Sequence, residues 1–345
     1  MTLQVAFIGF GKSTTRYHLP FVLVRKDKLH VAHIFRRHEK PELEQQPQYA
    51  HIHFTSQLDD IFDDPQVKLV VVCTHVDSHF EYAKKALEAG KNVLVEKPFT
   101  PTLAQARELF ALAKQKGLIV TPYQNRRFDS CFLTMKKAIT SGKLGRVVEI
   151  ESHFDMYRPD ALTQPGTSVD GAFYGLGVHT LDQMISLLGR PDCVAYDIRS
   201  VRNPLNPDDT FEAQLFYGDM KAVVKTSCLV KIAYPKFIVH GTRGSFVKYG
   251  IDQQETSLKA WIMPGEPGFA ADDSVAQLEY INDAGESVRE TWQAESGDYG
   301  RVYDALYQTL LHGAANYVSE TDVLTNMELL ERGFEHSSPS VVTLS

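Results

Sequence analysis

The sequence lacks most features that would take it out of ordinary aqueous chemistry. Its longest apolar runs, such as the Leu-Val-Val-Val-Cys of residues 69–73, fall far short of a bilayer-spanning helix. The amino terminus has no basic region ahead of an apolar one. Met-Thr-Leu-Gln-Val-Ala-Phe-Ile runs straight into strand-like residues, so no signal peptide is read. Positive charge is not in excess: 36 Lys and Arg stand against 43 Asp and Glu, a net charge of −7. That balance argues against nucleic acid and membrane surfaces as partners. The four cysteines, Cys73, Cys131, Cys193 and Cys228, lie far apart with no C-x-x-C, a pattern that suits reduced thiols in a cytoplasmic protein better than disulfides or zinc. No repeat or low-complexity tract stands out. What remains is a soluble globular composition. Its 345 residues exceed what one core usually organises, so two domains are expected.

The stretch A-F-I-G-F-G-K-S-T, residues 6–14, carries the letters of two different phosphate sites. A P-loop needs a glycine five residues before the glycine of G-K-[ST], and that position is Ala6. Its loop would also include Phe7, Ile8 and Phe10, which are apolar and too stiff to wrap phosphates. The dinucleotide reading fits better. An apolar buried-type strand leads into Gly9, which can make the tight turn, and Gly11, which lets backbone approach a pyrophosphate. Ser13 or Thr14 can cap the helix that follows, whose free N–H groups and dipole hold phosphate. Thr14 replaces the third small residue of the fingerprint and implies looser helix–strand packing.

A second apolar stretch, residues 30–35, ends in Arg36 and Arg37. An NAD-binding unit places an acidic residue here for the ribose 2′-hydroxyl, and this chain has none. Two arginines can instead fork onto a 2′-phosphate and stack on adenine, which favours NADP(H), with NAD(H) possible. Further strand-like runs at 68–73, 92–95 and 118–121 alternate with helical patterns. One of these follows Asp77 or Ser78 and stops at Gly90; another starts at a Thr102/Gln105 capping box and stops at Gly117. Alternation of this kind implies a parallel sheet with ligands beyond its carboxyl ends. There sit Gly9, Arg36, Thr74, His75, Glu96, Lys97, Asn125 and Arg127. His75 and His79 mimic a zinc pair, but His75 closes a strand and the two should not share a helical face, so no metal is expected.

G-F-G-K-S-T after the first strand, T-H-V-D-S-H, A-L-E-A-G-K-N-V-L-V-E-K-P-F, Q-N-R-R-F-D and G-L-G-V-H-T-L-D together resemble the Gfo/Idh/MocA oxidoreductases, a family that includes glucose–fructose oxidoreductase and inositol dehydrogenase. The resemblance runs from residue 3 to the carboxyl terminus, and residues 89–98 are its most specific part. It implies an α/β fold: an N-terminal Rossmann domain, residues 1–122, and a C-terminal α+β domain with an open, largely antiparallel sheet, residues 123–345. It also implies NAD(P)-dependent oxidation or reduction of sugars, inositols and related carbonyl or alcohol compounds. The family's E-K-P lysine matches Lys97, with a cis Lys97–Pro98 peptide, and its second-motif histidine matches His179. The aspartate of the family's D-x-x-x-H is Gly175 here, and the family's T-P is Thr74-His75.

Hydride transfer at a C–O carbon needs a proton partner on the oxygen. Lys97, held at the carboxyl edge of the sheet, can donate or accept that proton, and burial beside nicotinamide would bring its pKa toward neutrality. Glu96 could orient it. His179 would assist at the substrate hydroxyl, with Asp182 three residues on to orient it. The expected cofactor residues are Gly9, Phe10, Gly11, Lys12, Ser13, Thr14, Arg36, Arg37, Thr74, His75, His79, Glu96, Lys97 and Asn125. The expected substrate residues are Lys97, Arg127, Tyr157, Tyr174, His179 and Asp182, with Arg158 a further candidate. Arg127 could fork onto an anion or pair with Asp129; Tyr174 could stand in for the missing aspartate or pack in the core.

Past residue 124 strand-like runs dominate. Residues 211–217 and 222–226 flank Gly218-Asp219, and 237–240 and 245–249 flank Gly241 to Gly244, two hairpin signals. Such a sheet can bury one face and offer the other to a second copy, so a homo-oligomer is expected. Two other functions fit the same residues: a redox-neutral elimination or epimerisation on a tightly held cofactor, and a non-catalytic NADP(H) sensor, for which Gly175 speaks and the retained Lys97 and His179 speak against.

Overall fold

The computed structural model describes residues 2–160 and 165–344. The chain forms two compact units. The first takes Met1–Asn125 and two later segments, Glu255–Phe269 and Tyr299–Leu324; the second takes Arg126–Gln254, Ala270–Asp298 and Thr325–Ser345.

In the first unit six strands form one wholly parallel sheet: β1 (Leu3–Ile8), β2 (Leu29–Phe35), β3 (His53–Thr55), β4 (Val67–Val72), β5 (Asn92–Val95) and β6 (Val120–Pro122). Their order is β3-β2-β1-β4-β5-β6. The order reverses between β1 and β4, and a doubly wound sheet opens its ligand crevice at that point. β1 and β4 are apolar at nearly every position because both faces are covered. The helix Leu103–Lys116 begins as its sequence says: Thr102 Oγ1 accepts the Gln105 N–H at 3.2 Å, and Gly117 ends it at φ 67°. The first helix differs from expectation. It contains a π-turn over Thr14–His18, and neither Ser13 nor Thr14 caps it. The Thr14 hydroxyl donates instead to the Gly9 carbonyl at 2.7 Å, and Thr14 is fully buried. The larger residue is absorbed by a hydrogen bond and a widened turn rather than by loose packing.

The second unit is built on a nine-stranded mixed sheet. Its strands are β7 (Val147–His153), β8 (Cys193–Arg199), β9 (Thr210–Tyr217), β10 (Met220–Ser227), β11 (Phe237–Gly241), β12 (Gly244–Lys248), β13 (Val275–Ile281), β14 (Ser287–Gln293) and β15 (Ser340–Thr343). The order is β14-β13-β12-β11-β7-β10-β9-β8-β15, antiparallel throughout except for the β7–β10 pair. Both expected hairpins are present as β9–β10 and β11–β12. Ile150, Val224, Leu215, Tyr196, Val239 and Leu278 line the buried face. Among the described residues no helix is long and apolar enough to cross a membrane.

Candidate active site

The turn after β1 is built for close approach. Gly9 has φ 110°, and a Cβ there would lie 2.7 Å from the Cys73 carbonyl oxygen at the end of β4, so only glycine fits. Gly11 differs: a Cβ on it would meet nothing within 4 Å. It forms open floor in a cavity of about 350 Å³ at the crevice, walled by Gly9, Phe10, Arg37, Lys40, Thr74 and Tyr82 among others. That cavity, floored by bare backbone and rimmed by cations, fits an anionic dinucleotide.

The basic rim is not arranged as two equivalent arginines. The Arg36 guanidinium is forked onto Glu44, Nε to Oε1 at 2.7 Å and Nη2 to Oε2 at 3.2 Å, and Glu44 is held below the ordinary carboxylate range by that contact. The short helix Pro41–Glu44 that follows β2 therefore occupies the fork expected to read a phosphate. Arg37 is exposed at the cavity with no ion pair among the described residues. Lys40 joins it, donating from Nζ to the Phe10 carbonyl at 2.5 Å and lying 5.7 Å from the Phe10 ring centroid. His38 also lines the cavity. Sequence reasoning missed His38 and Lys40, although both follow the strand end within four residues of Arg36.

Thr74 and His75 lie at the far wall. His75 is exposed and pairs with Asp77 at 3.0 Å. His79 is buried away from the cavity wall; its Nδ1 faces the Pro98 carbonyl at 2.8 Å and its Nε2 the Thr74 carbonyl at 3.0 Å. Burial lowers its pKa. It therefore ties two strand ends together rather than contacting the crevice, and it shares no metal geometry with His75. Ser13 is drawn to Glu96 by a short hydrogen bond, and Lys12 projects into solvent.

Lys97 follows β5, half-buried, and the Lys97–Pro98 peptide is cis. Beneath it lies a buried chain that the sequence did not reveal. Tyr303 Oη meets His18 Nδ1 at 2.6 Å, and His18 Nε2 meets Glu96 Oε1 at 3.0 Å. Glu96 Oε2 accepts the Lys97 backbone N–H at 3.0 Å. The His18 ring also lies 4.0 Å from the Tyr123 ring centroid. Burial pushes the Glu96 carboxyl up, but the His18 hydrogen bond and charge, the Lys97 charge and the Ser13 hydroxyl outweigh it and hold the group at about 2. An ionised Glu96 can only accept, so His18 donates to it from Nε2, and His18 Nδ1 shares a second hydrogen bond with the Tyr303 hydroxyl. Glu96 thus fixes the lysine's backbone through a carboxylate that is itself fixed from behind. The only signal for His18 was a titratable residue beside the apolar Leu19, Phe21 and Val22.

In the second unit His179 is buried on the helix Val178–Leu188, directly after a second π-turn over Phe173–Gly177. Asp208 holds the start of that turn: its Oδ2 accepts the Phe173 N–H at 2.7 Å. Burial raises the Asp208 pKa to about 6 against that hydrogen bond. Asp182 makes a two-pronged pair with Arg127, Nε to Oδ2 and Nη2 to Oδ1, each 2.8 Å. So the Arg127 fork is filled by a carboxylate of its own chain, and Asp129 pairs with Arg126 at 3.4 Å. Tyr174 packs in the core, stacked on Phe334 at 6.0 Å, and burial raises its hydroxyl pKa. A Cβ at Gly175 would meet nothing within 4 Å, so the position that carries aspartate in the resembled family opens onto free space. Tyr157 is half exposed under Lys231 Nζ, 4.5 Å from its ring centroid, with Arg158 exposed beside it. Asn125 is buried at the start of the turn Asn125–Phe128.

Residues 3–124 match the oxidoreductase family's NAD-binding Rossmann fold, the GFO_IDH_MocA description, and residues 136–344 match its C-terminal alpha/beta domain. The chain is 79% identical over 345 residues, all of both chains, to the uncharacterized oxidoreductase YhhX of Escherichia coli K12. It is 30% identical over 342 residues, 97% of this chain and 94% of the relative, to scyllo-inositol 2-dehydrogenase (NADP(+)) IolW of Bacillus subtilis. Among solved structures, an oxidoreductase from Bacillus cereus superposes with TM-score 0.97 at 46% identity, covering 100% of this chain and 99% of that one.

Proposed function

The chain belongs to the Gfo/Idh/MocA oxidoreductases and carries their NAD(P)-binding Rossmann domain, and from that premise we propose an NADP(H)-preferring dehydrogenase or reductase of a sugar, polyol or related small carbonyl compound. The observation that carries the cofactor half is the crevice at Gly9–Gly11, open above Gly11 and rimmed by the exposed Arg37 and Lys40. Gly9, Phe10, Gly11 and Lys12 would hold the diphosphate, and Arg37 with Lys40 the 2′-phosphate; Arg36 serves by keeping Glu44 neutralised rather than by direct contact. NADP-dependence in IolW, a polyol dehydrogenase by its name, supports the preference and the substrate class. When bound, the nicotinamide supplies or receives the hydride.

The residues supply the proton and the orientation. Lys97 gives a proton to the substrate oxygen on reduction and takes it on oxidation, its backbone pinned by Glu96. His179 hydrogen-bonds a substrate hydroxyl, on a helix whose start is tied by Asp208. Residues 1–122 serve the cofactor and 123–345 the substrate and self-association, in the cytoplasm. Gly175 favours one second reading, a binding protein without turnover, since the space beside it holds no carboxylate.

The test is a titration with NADPH and NADH, followed by nicotinamide fluorescence, for wild type and for Arg37→Ala with Lys40→Ala. NADPH should bind more tightly, and the double variant should lose about tenfold or more for NADPH while keeping its NADH affinity. Lys97→Met should keep cofactor binding and lose turnover on polyols or their ketones by about a hundredfold or more. Wild type that binds neither cofactor overturns the proposal; binding with no turnover on any such substrate establishes the second reading.

A further inference from the structure

Four histidines meet at one edge of the parallel sheet, and none of them lines the cavity at the crevice. His30 and His33 lie on β2, His53 starts the three-residue edge strand β3, and His51 precedes it by two residues. The β1–β2 register passes over Ala32: Val5 faces Val31, but Ala6 faces His33. That slip turns His33 to the face that His30 takes. His33 stands directly opposite His53 across the β2–β3 pair. The rings meet in twos, His30 with His51 at 5.5 Å between centroids and His33 with His53 at 5.3 Å. Groups that charge alike are a costly choice for facing positions on paired strands. Packing does not explain the choice, since His30, His51 and His53 are exposed.

The His33–His53 pair is held differently from the other. His33 Nδ1 and His53 Nδ1 lie 3.1 Å apart. An ion about 2.0 Å from each of two nitrogens holds them about 2.8 Å apart at a right angle and about 3.3 Å apart at a tetrahedral one. Behind the pair, His33 Nε2 lies 2.9 Å from Asp64 Oδ2. A carboxylate can only accept, so Nε2 carries the N–H, and Nδ1 of the neutral ring turns its lone pair toward His53. Asp64 is fixed in turn. Its Oδ1 accepts the Gln66 N–H at 2.8 Å, and its carbonyl accepts from Lys91 Nζ. A carboxylate anchored behind the far nitrogen is how proteins orient an imidazole ligand and raise its basicity. Neither His30 nor His51 has such a carboxylate among the described residues.

We propose that His33 and His53 form a two-imidazole chelate for a divalent transition-metal ion of the Cu²⁺ or Zn²⁺ type, with Asp64 orienting His33 and water filling the remaining positions. No third His, Cys, Asp or Glu joins them among the described residues, so the site is open and its ion exchangeable. Both neutral rings carry their N–H at Nε2 in the bound state, so both Nδ1 lone pairs reach the ion and no proton is released. The ion clamps β3 onto β2. Phe54 on that strand packs 5.0 Å from the Phe10 ring of the glycine-rich turn. The inference is independent of the cofactor reading and stands or falls without it.

The experiment titrates Cu²⁺ into the untagged full chain, followed by calorimetry and electron paramagnetic resonance. The variants are His33→Gln, His53→Gln, Asp64→Asn and the double His30→Gln/His51→Gln, each with its metal-free melting temperature recorded. Wild type should take one tightly held Cu²⁺ per chain with the hyperfine pattern of two nitrogen ligands. His33→Gln, His53→Gln and Asp64→Asn should each weaken it about tenfold or more, while His30→Gln/His51→Gln stays within about threefold. Zn²⁺ should bind more weakly than Cu²⁺ and raise the wild-type melting temperature by about 2 °C or more at saturation, and Mg²⁺ should do neither. Fewer than two nitrogens in the wild-type spectrum overturns the proposal, whether or not the variants fold. Undiminished affinity in His33→Gln and His53→Gln also overturns it, as does a loss in His30→Gln/His51→Gln in their place.

Discussion

At the scale of single residues, the buried Glu96 has the largest consequence. Its carboxyl sits at about 2 in the folded protein against an ordinary value of 4.5. A carboxyl depressed by folding adds stability that is complete above the unfolded value and drains away as pH falls toward the folded one. The full difference is about 3 kcal/mol, and about 2 kcal/mol of it should go between about pH 5 and pH 3. Urea unfolding at those two pH values should therefore show a steeper loss in wild type than in Glu96→Gln, which has no proton to take up. Parallel losses would show that the His18 and Ser13 contacts do not hold the charge. His18→Ala should cost about 3 kcal/mol at neutral pH by stranding the carboxylate. Lys97 and Glu96 were legible in the sequence because strand, charge and proline are adjacent. His18 and Tyr303 were not: they lie 285 positions apart, and only the return of the 299–324 segment brings them together. The partners of Arg36 and Arg127 were hidden for a related reason. A sequence shows a guanidinium and hides the carboxylate, Glu44 or Asp182, that fills it.

At the scale of elements, the two glycines of the first turn have separable duties. Gly9→Ala would force a methyl against the Cys73 carbonyl at a φ of 110°. It should cost about 2 kcal/mol or more, read as a lower urea midpoint. Gly11→Ala meets no atom and should unfold like wild type, yet its methyl enters the crevice and should weaken NADPH binding about tenfold. If Gly11→Ala binds as wild type does, the cofactor does not pass over this turn. Core strands of the parallel sheet were readable because continuous apolar runs are what burial on both faces demands. The π-turns at Thr14–His18 and Phe173–Gly177 were not, since one extra residue in a turn leaves no mark on a 3.6-residue pattern. β13 and β14 escaped notice because their outward positions are polar and their inward ones sparse, with only Ala276 and Leu278 fully buried.

At the scale of the whole molecule, the open face of the nine-stranded sheet carries the remaining expectation, self-association. Register puts Glu149, Glu151, Lys221, Val223, Lys225 and Glu212 on one face, with Gln214, Phe216 and Ile238 beside them. Charges there are already matched across strands, Lys221 to Glu149 at 3.1 Å and Lys225 to Glu212 at 3.0 Å. Half-exposed pairs of this kind contribute little to the fold itself. They do neutralise the face, so that a second copy could cover it without desolvating lone charges, and the part-exposed Phe216 and Ile238 supply apolar area between them. A homo-oligomer closed through this face should appear in light scattering behind size exclusion at roughly ten micromolar protein, a range that an interface of standard size reaches readily. Phe216→Asp with Ile238→Asp should convert it to monomer while leaving the far-ultraviolet circular dichroism unchanged, because both side chains are part-exposed and point away from the sheet's buried face. A wild-type monomer at that concentration, or an oligomer indifferent to both aspartates, would place self-association elsewhere or nowhere, and the sheet's open face would then be only a solvated surface.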